Sequence, residues 1–211
     1  MNLFNGRLAR QPVNRTLDAY AATAGVYAQR TAGVDMSRER GFFVQRLPNG
    51  IAGSTVLDAG CGSARDALEF RRLGLEVVAF DGCKEMAELA SATCGQEVLH
   101  LRFDEVVWQG AFDGVWASGS LLHLDDSAQV DALQRLARSL RPGGVLCAVM
   151  ERGEGTSVAS DGRFFNYTTT EKFARVVARA GLGQFESFAA DSYLAADGTV
   201  WLTMCARKPY L

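Results

Sequence analysis

Short runs of β-branched and aromatic residues alternate with helical patterns along most of this chain, and few folds accept that alternation. The runs "TVLDA" (55–59), "EVVAFD" (76–81), "EVLHLRF" (97–103), "FDGVWAS" (112–118) and "GVLCAVM" (144–150) are apolar enough to be buried on both faces. Between them Met86, Leu89, Ala90 and Thr93 recur at helical spacing. So do Leu133, Leu136, Ala137 and Leu140, and again Phe173, Val176, Val177 and Ala180. Thr168 followed by Glu171 reads as a capping box opening the last of these helices, and Gly181 as its stop. Strands alternating with helices predict a parallel sheet covered by helices on both faces. The rhythm then changes. "QFESFAADSY" (184–193) and "TVWLTMCARK" (199–208) leave no room for a helix between them, so they read as an antiparallel hairpin with Asp197-Gly198 in its turn.

The first fifty residues are of another kind. "LDAYAATAGVYAQRTAG" (17–33) is an Ala-rich helix, and "SRERGFFVQRLP" (37–48) is a second helix ended by Pro48. With so few large apolar side chains they read as a cap or lid (1–50) packed on one core domain (51–211). The whole chain has 211 residues, 48% of them apolar and 22% charged, the make-up of an ordinary globular domain. A net charge of −2, with no basic run longer than two residues, argues against a nucleic-acid partner. No stretch approaches the roughly 20 apolar residues of a membrane span. The opening "MNLFNGRLARQP" lacks the apolar segment of a signal peptide. Cys61, Cys83, Cys94, Cys147 and Cys205 form no CxxC pair and have no histidine at ligand spacing. They read as reduced thiols of a cytoplasmic protein, with neither a metal site nor a disulfide frame.

"VLDAGCGSARD" (56–66) breaks the first buried run with two glycines one residue apart. Gly60 and Gly62 serve either a tight strand-to-helix turn or the close approach of a ligand to main-chain amides. Asp81 closes the second run, where a carboxylate accepts ribose hydroxyls or caps the following helix. Asp104 closes the third, where it takes an adenine amino hydrogen or simply makes a turn. A dinucleotide site wants a third glycine where Arg65 stands. Asp66 at the helix start and Asp58 at the strand end would both repel phosphates. This surrounding suits a nucleoside with an amino or cationic end and no phosphate.

With those residues in place the chain resembles the class I S-adenosylmethionine-dependent methyltransferases, in particular small bacterial enzymes acting on small molecules. The resemblance runs from about residue 17 to 208 and rests on "VLDAGCGSARD", "AFD" (79–81), "FDGVWASGSLLHL" (112–124), "LARSLRPGGVL" (136–146) and the terminal hairpin. It implies an α/β, Rossmann-like sheet of seven mostly parallel strands in the order 3-2-1-4-5-7-6, with strand 7 antiparallel. It also implies S-adenosyl-L-methionine as cofactor, held by Asp58, Gly60, Cys61, Gly62 and Arg65 at the first turn and by Asp81, Gly82 and Met86 at the second. Phe103 and Asp104 would follow at the third, then Ala117 and Ser118 at the end of the fourth strand. Tyr20 and Tyr27, seven residues apart in "Y-x-x-x-A-x-x-Y", would close over the cofactor.

Methyl transfer from a sulfonium is an in-line displacement, so alignment is the main requirement, and a base is needed only where the acceptor must lose a proton. His123 in "GSLLHLDD" is the candidate base or acceptor-orienting group, or else a packing histidine; His100 reads as structural. Trp116 is an acceptor contact or a core residue. Arg163 and Tyr167, in the Gly/Ser-rich stretch 151–173, would grip an anionic acceptor and exclude water, or merely anchor a loop. The expected partner is a small-molecule methyl acceptor, and the protein a monomer or homodimer. An NAD-linked oxidoreductase and a non-catalytic S-adenosylmethionine-binding module are the alternatives.

Overall fold

The structure is a computed structural model that describes residues 12–191 and 198–210. Its centre is a seven-stranded sheet built from β1 (Thr55–Ala59), β2 (Glu76–Asp81), β3 (Leu99–His100), β4 (Phe112–Ser118), β5 (Leu140–Glu151), β8 (Gly183–Asp191) and β9 (Val200–Arg207). The strand order is β3-β2-β1-β4-β5-β9-β8. The first five strands are parallel neighbours, while β9 runs antiparallel between β5 and β8. Apart from two strands inserted elsewhere, this is the order the resemblance implies.

Side-chain alternation divides the core. Leu57, Val115, Leu146 and Met204 point to one face, where they pack with Leu133 and Leu136 of α5 (Asp126–Ser139) and Phe173 of α6 (Thr170–Arg179). Val56, Trp116, Val145 and Cys147 point to the other, against Phe43 of α2 (Ser37–Val44) and Phe70 of α3 (Arg65–Arg72). Gly114 permits the contact with α2. A Cβ there would lie 2.5 Å from Phe43 Cζ and 2.6 Å from Leu47 Cδ2. α4 (Lys84–Cys94) covers the β2 side through Ala87 and Ala90. α1 (Pro12–Ala32) lays Leu17, Tyr20 and Tyr27 over Cys83 and Met86.

Several expectations are corrected. β3 has only Leu99 and His100, not the whole of "EVLHLRF", because the Glu105 carboxylate accepts the Arg102 amide and turns the edge strand into a single 3-10 turn, Phe103–Glu105. β5 starts at Leu140, earlier than "GVLCAVM", since Leu140 pairs with Phe112 across an irregularity in the ladder. The cap of α6 is Thr169, whose hydroxyl accepts the Lys172 amide at 3.2 Å; Thr168 is instead buried and bridged to Arg152. The stretch 151–173 is not an open loop, for it contains an antiparallel ribbon of β6 (Thr156–Val158) and β7 (Phe164–Asn166). Tyr193 and the turn residue Asp197 lie outside the described residues.

The expectation of five reduced thiols is also overturned. Cys147 and Cys205 face each other across the β5/β9 ladder, with Cα atoms 4.1 Å apart, and form a disulfide. The sequence spacing of 58 residues hid this pairing, which exists only because β9 folds back antiparallel onto β5.

Candidate active site

The cavity opens at the carboxyl ends of β1, β2 and β4, under α1. The glycine turn comes first. Gly60 N and Cys61 N both donate to the Phe80 carbonyl at 2.9 Å, and Gly62 N donates to Asp81 Oδ2 at 2.9 Å. The turn's amides therefore fasten β1 to β2, and the expectation that they point at a ligand is corrected. Gly60 sits at φ +74, and a Cβ on it would lie 2.5 Å from Ser120 Cβ. Its lack of a side chain admits Ser120, whose hydroxyl donates to the Ala59 carbonyl at 2.8 Å. Both glycines and Cys61 still line the cavity.

The acids differ in state. Asp58 is buried, and its Oδ2 has no hydrogen-bond partner. Burial, then the neighbouring Asp66, raise its pKa well above the usual carboxylate range. Asp81 is pushed up to about 6 by burial, which outweighs the bonds from the Cys83 and Gly62 amides. Each of its oxygens keeps a lone pair for a further donor. Asp81 thus caps the start of α4 and faces the cavity at once. Asp104 is half-exposed and paired with Arg102 at 3.2 Å, at the cavity mouth beside Phe103.

Asp66 is the hub of the floor. It receives Arg65 in two bonds of 3.0 and 2.8 Å, Arg40 of α2 at 2.8 Å and the Trp116 indole at 3.0 Å. Burial works against its ionisation, but Arg65, Trp116 and Arg40 together hold it below the usual range. Two guanidiniums against one carboxylate leave this cluster one positive charge in excess.

Most of the expected residues meet here. Tyr20, Tyr27, Arg65, Gly82, Met86, Ser118 and His123 line the cavity with those already named. Trp116 and Ala117 do not. They are fully buried on opposite faces of β4, a central strand with no open face for a ligand. Arg163 and Tyr167 stand behind the wall instead of in it. Tyr167 bonds Ser157 through its hydroxyl at 2.7 Å, and the Arg163 guanidinium lies over the Tyr20 and Phe165 rings.

His123 is buried and bonded at both nitrogens, Nδ1 to the Phe164 carbonyl at 2.7 Å and Nε2 to the Tyr20 hydroxyl at 2.9 Å. A carbonyl only accepts, so Nδ1 carries the proton and Tyr20 donates to Nε2. Burial lowers the His123 pKa to about 4, which keeps it neutral. Burial also raises that of Tyr20. The sequence reading missed Thr16, Thr31 and Ser120, which also line the cavity. Thr16 and Thr31 were within reach, because with Tyr20 and Tyr27 they repeat along one face of α1.

A mostly parallel sheet in this order, with an antiparallel strand in the penultimate position and a cavity at the glycine turn, is the Rossmann-like fold of class I S-adenosylmethionine-dependent methyltransferases. Residues 56–144 match the family model described as a methyltransferase domain. An O-methyltransferase of Aspergillus sclerotiorum is 35% identical over 107 residues, covering 45% of this chain and 39% of that protein. The malonyl-[acyl-carrier protein] O-methyltransferase of Enterobacter lignolyticus is 40% identical over 93 residues, covering 43% and 36%. The chain thus spans about two fifths of the length of these relatives. Among solved structures, the Burkholderia thailandensis 1,6-didemethyltoxoflavin-N1-methyltransferase, bound to its substrate and S-adenosylhomocysteine, superposes with a TM-score of 0.75 at 24% identity, over 93% of this chain and 88% of that one. A [4+2]-cyclase superposes with a TM-score of 0.72 at 17% identity, over 92% and 95%. Among the described residues no helix is long and apolar enough to cross a membrane.

Proposed function

We propose that this protein transfers a methyl group from S-adenosylmethionine to an oxygen of a small, non-nucleic-acid acceptor. The observation that carries the reading is the unpartnered Oδ2 of buried Asp58 beside the cavity, with Asp81 at the next strand end. A buried carboxylate oxygen without a donor is costly, and a ligand ammonium group would satisfy it. Asp81 has the lone pairs for ribose hydroxyls, and the positive excess at Arg65 suits an amino-acid carboxylate. A dinucleotide is disfavoured because its phosphates would meet the acids Asp58 and Asp81.

Bound here, S-adenosylmethionine would supply an electrophilic methyl group on a sulfonium. The chain's own work is to orient the acceptor and accept its proton. An acceptor hydroxyl donating to Tyr20 Oη can pass its proton to Tyr20 while Tyr20 passes its own to His123 Nε2; the Phe164 carbonyl holds the imidazole in the tautomer this requires. With a pKa near 4, His123 is a weak base. Taking a proton from a resting phenol of pKa ~10 would cost about 8 kcal/mol, so the proton moves only as the oxygen gains its methyl group and turns acidic. O-methylation is the activity named for both curated relatives above. The cyclase with the same fold is the reason the activity needs its own test. Calorimetry with S-adenosylhomocysteine and NAD, followed by labelled methyl transfer to a panel of hydroxylated compounds, supplies it. Binding of NAD alone would sink the proposal, and cofactor binding without turnover of any acceptor would leave a binding module.

A further inference from the structure

Arg65 and Asp66 are consecutive residues of α3, and consecutive side chains of a helix do not face each other. The two-bond pair between them is therefore not given by the helix itself. Two groups from elsewhere in the chain fix the carboxylate, Arg40 of α2 and Trp116 of β4. Asp66 Oδ1 accepts Arg65 Nε at 3.0 Å and Arg40 Nη1 at 2.8 Å. Oδ2 accepts Arg65 Nη2 at 2.8 Å and the Trp116 indole N–H at 3.0 Å. A carboxylate has about four lone-pair sites, so these four bonds fill it, and turning it would break bonds at both oxygens. Asp66 has nothing left to offer a ligand.

Arg65 is held side-on, through Nε and Nη2. Its other terminal nitrogen, Nη1, bonds no group among the described residues, and the side chain is 21% exposed in the cavity wall. Charge matters as much as aim. An Arg65–Asp66 pair alone would be neutral and would attract an incoming carboxylate weakly. Arg40 is the second cation against that one acid, and it restores the attraction from beneath. Arg40 and Trp116 do not line the cavity, so both can act only through Asp66.

We propose that Asp66, clamped by Trp116 and Arg40, is a positioning residue that holds Arg65 for the carboxylate of the cofactor's amino-acid end, and that Arg40 supplies the charge that makes this subsite attract an anion. This rests on the methyltransferase reading above and deepens it, since it gives α2 of the N-terminal cap a part in selecting the cofactor. The site then distinguishes the complete cofactor from an adenosine thioether that lacks the carboxylate, because a guanidinium fixed in place loses little freedom on binding one.

The test is calorimetry on the full chain with two ligands, S-adenosylhomocysteine and 5′-(3-aminopropylthio)-5′-deoxyadenosine, which keeps the adenosine, thioether and ammonium and lacks only the carboxylate. The native chain should bind S-adenosylhomocysteine about tenfold or more tightly than the analogue. Arg65→Gln should erase that preference. Arg40→Gln and Trp116→Phe should each shrink it about threefold or more, by loss of a charge and of an anchor, with affinity for the analogue unchanged. Arg40→Lys, which can still reach one carboxylate oxygen, should restore it. Trp116 is buried, so if Trp116→Phe does not fold, the partly exposed Arg40 decides. A native preference near one, a preference that survives Arg40→Gln, or an equal loss for both ligands would overturn the inference, the last because it marks a merely structural role. If the native chain binds neither ligand, the methyltransferase reading itself fails.

Discussion

Replacing Gly60 by Ala separates the two uses of the glycine turn. The residue sits at φ +74, where an L-residue costs roughly 1–2 kcal/mol more than glycine. The added Cβ also meets Ser120 Cβ at 2.5 Å, so Ser120 must move and its bond to the Ala59 carbonyl is lost. Leaving that buried carbonyl unsatisfied costs another ~1–3 kcal/mol. The expected loss is therefore about 3 kcal/mol in urea unfolding. A double-mutant cycle with Ser120→Gly assigns the shares: the second change removes the overlap but not the backbone strain, so the pair should be about 1–2 kcal/mol better than the sum of the singles. The reasoning is refuted if Gly60→Ala unfolds like the native chain, or if Ser120→Gly recovers nothing. Should Gly60→Ala keep its stability and lose only S-adenosylhomocysteine binding, the glycine would serve the ligand alone.

The remaining expectations follow from the same site. Tyr20→Phe should lower the methyl-transfer rate by about a hundredfold with little change in cofactor affinity, since it removes a proton carrier and keeps the ring; equal rates would dismiss the relay. Asp81 titrates near 6 and serves as a carboxylate, so S-adenosylhomocysteine affinity should fall about tenfold from pH 8 to pH 5, and a flat profile would contradict its role. His123 has a folded pKa near 4, below the usual 6.5, so the unfolded chain takes its proton first as the pH falls. Stability from this group is complete above pH 6.5 and is lost toward pH 4, by about 3 kcal/mol; Asp81 acts in the opposite sense over an overlapping range, so the measured quantity is the difference between native and His123→Gln unfolding curves. Oxidised protein should show three free thiols under denaturing, non-reducing conditions, and five would refute the Cys147–Cys205 bond.

Sequence patterns revealed the sheet because each buried run is a strand whose composition is set by two covered faces. They failed where long-range geometry decides. The 3-10 turn after β3 depends on Glu105 reaching the Arg102 amide, and the Cys147–Cys205 pair depends on how two strands align. At the site, Asp58 and Asp81 could be placed because strand ends in such a sheet converge on one edge. Trp116 was misplaced for a related reason: a residue near a strand end looks exposed in sequence, yet the period of two sends it under α2, where it bonds Asp66. Arg65 shows the opposite limit: the resemblance sets it against the cofactor, and the side chain that lines the cavity is at the same time bonded to Asp66.

Phe164 uses its backbone in two directions: its N–H donates to Thr16 of α1 and its carbonyl receives His123. One residue of main chain therefore ties the covering helix to the histidine. Evolution can exchange the side chain at this position without touching either bond, so comparing residue identities will not register the device. Proline is the exception, for it removes the N–H and keeps the carbonyl. Phe164→Pro would cut the tie to Thr16 while keeping the carbonyl that orients the imidazole.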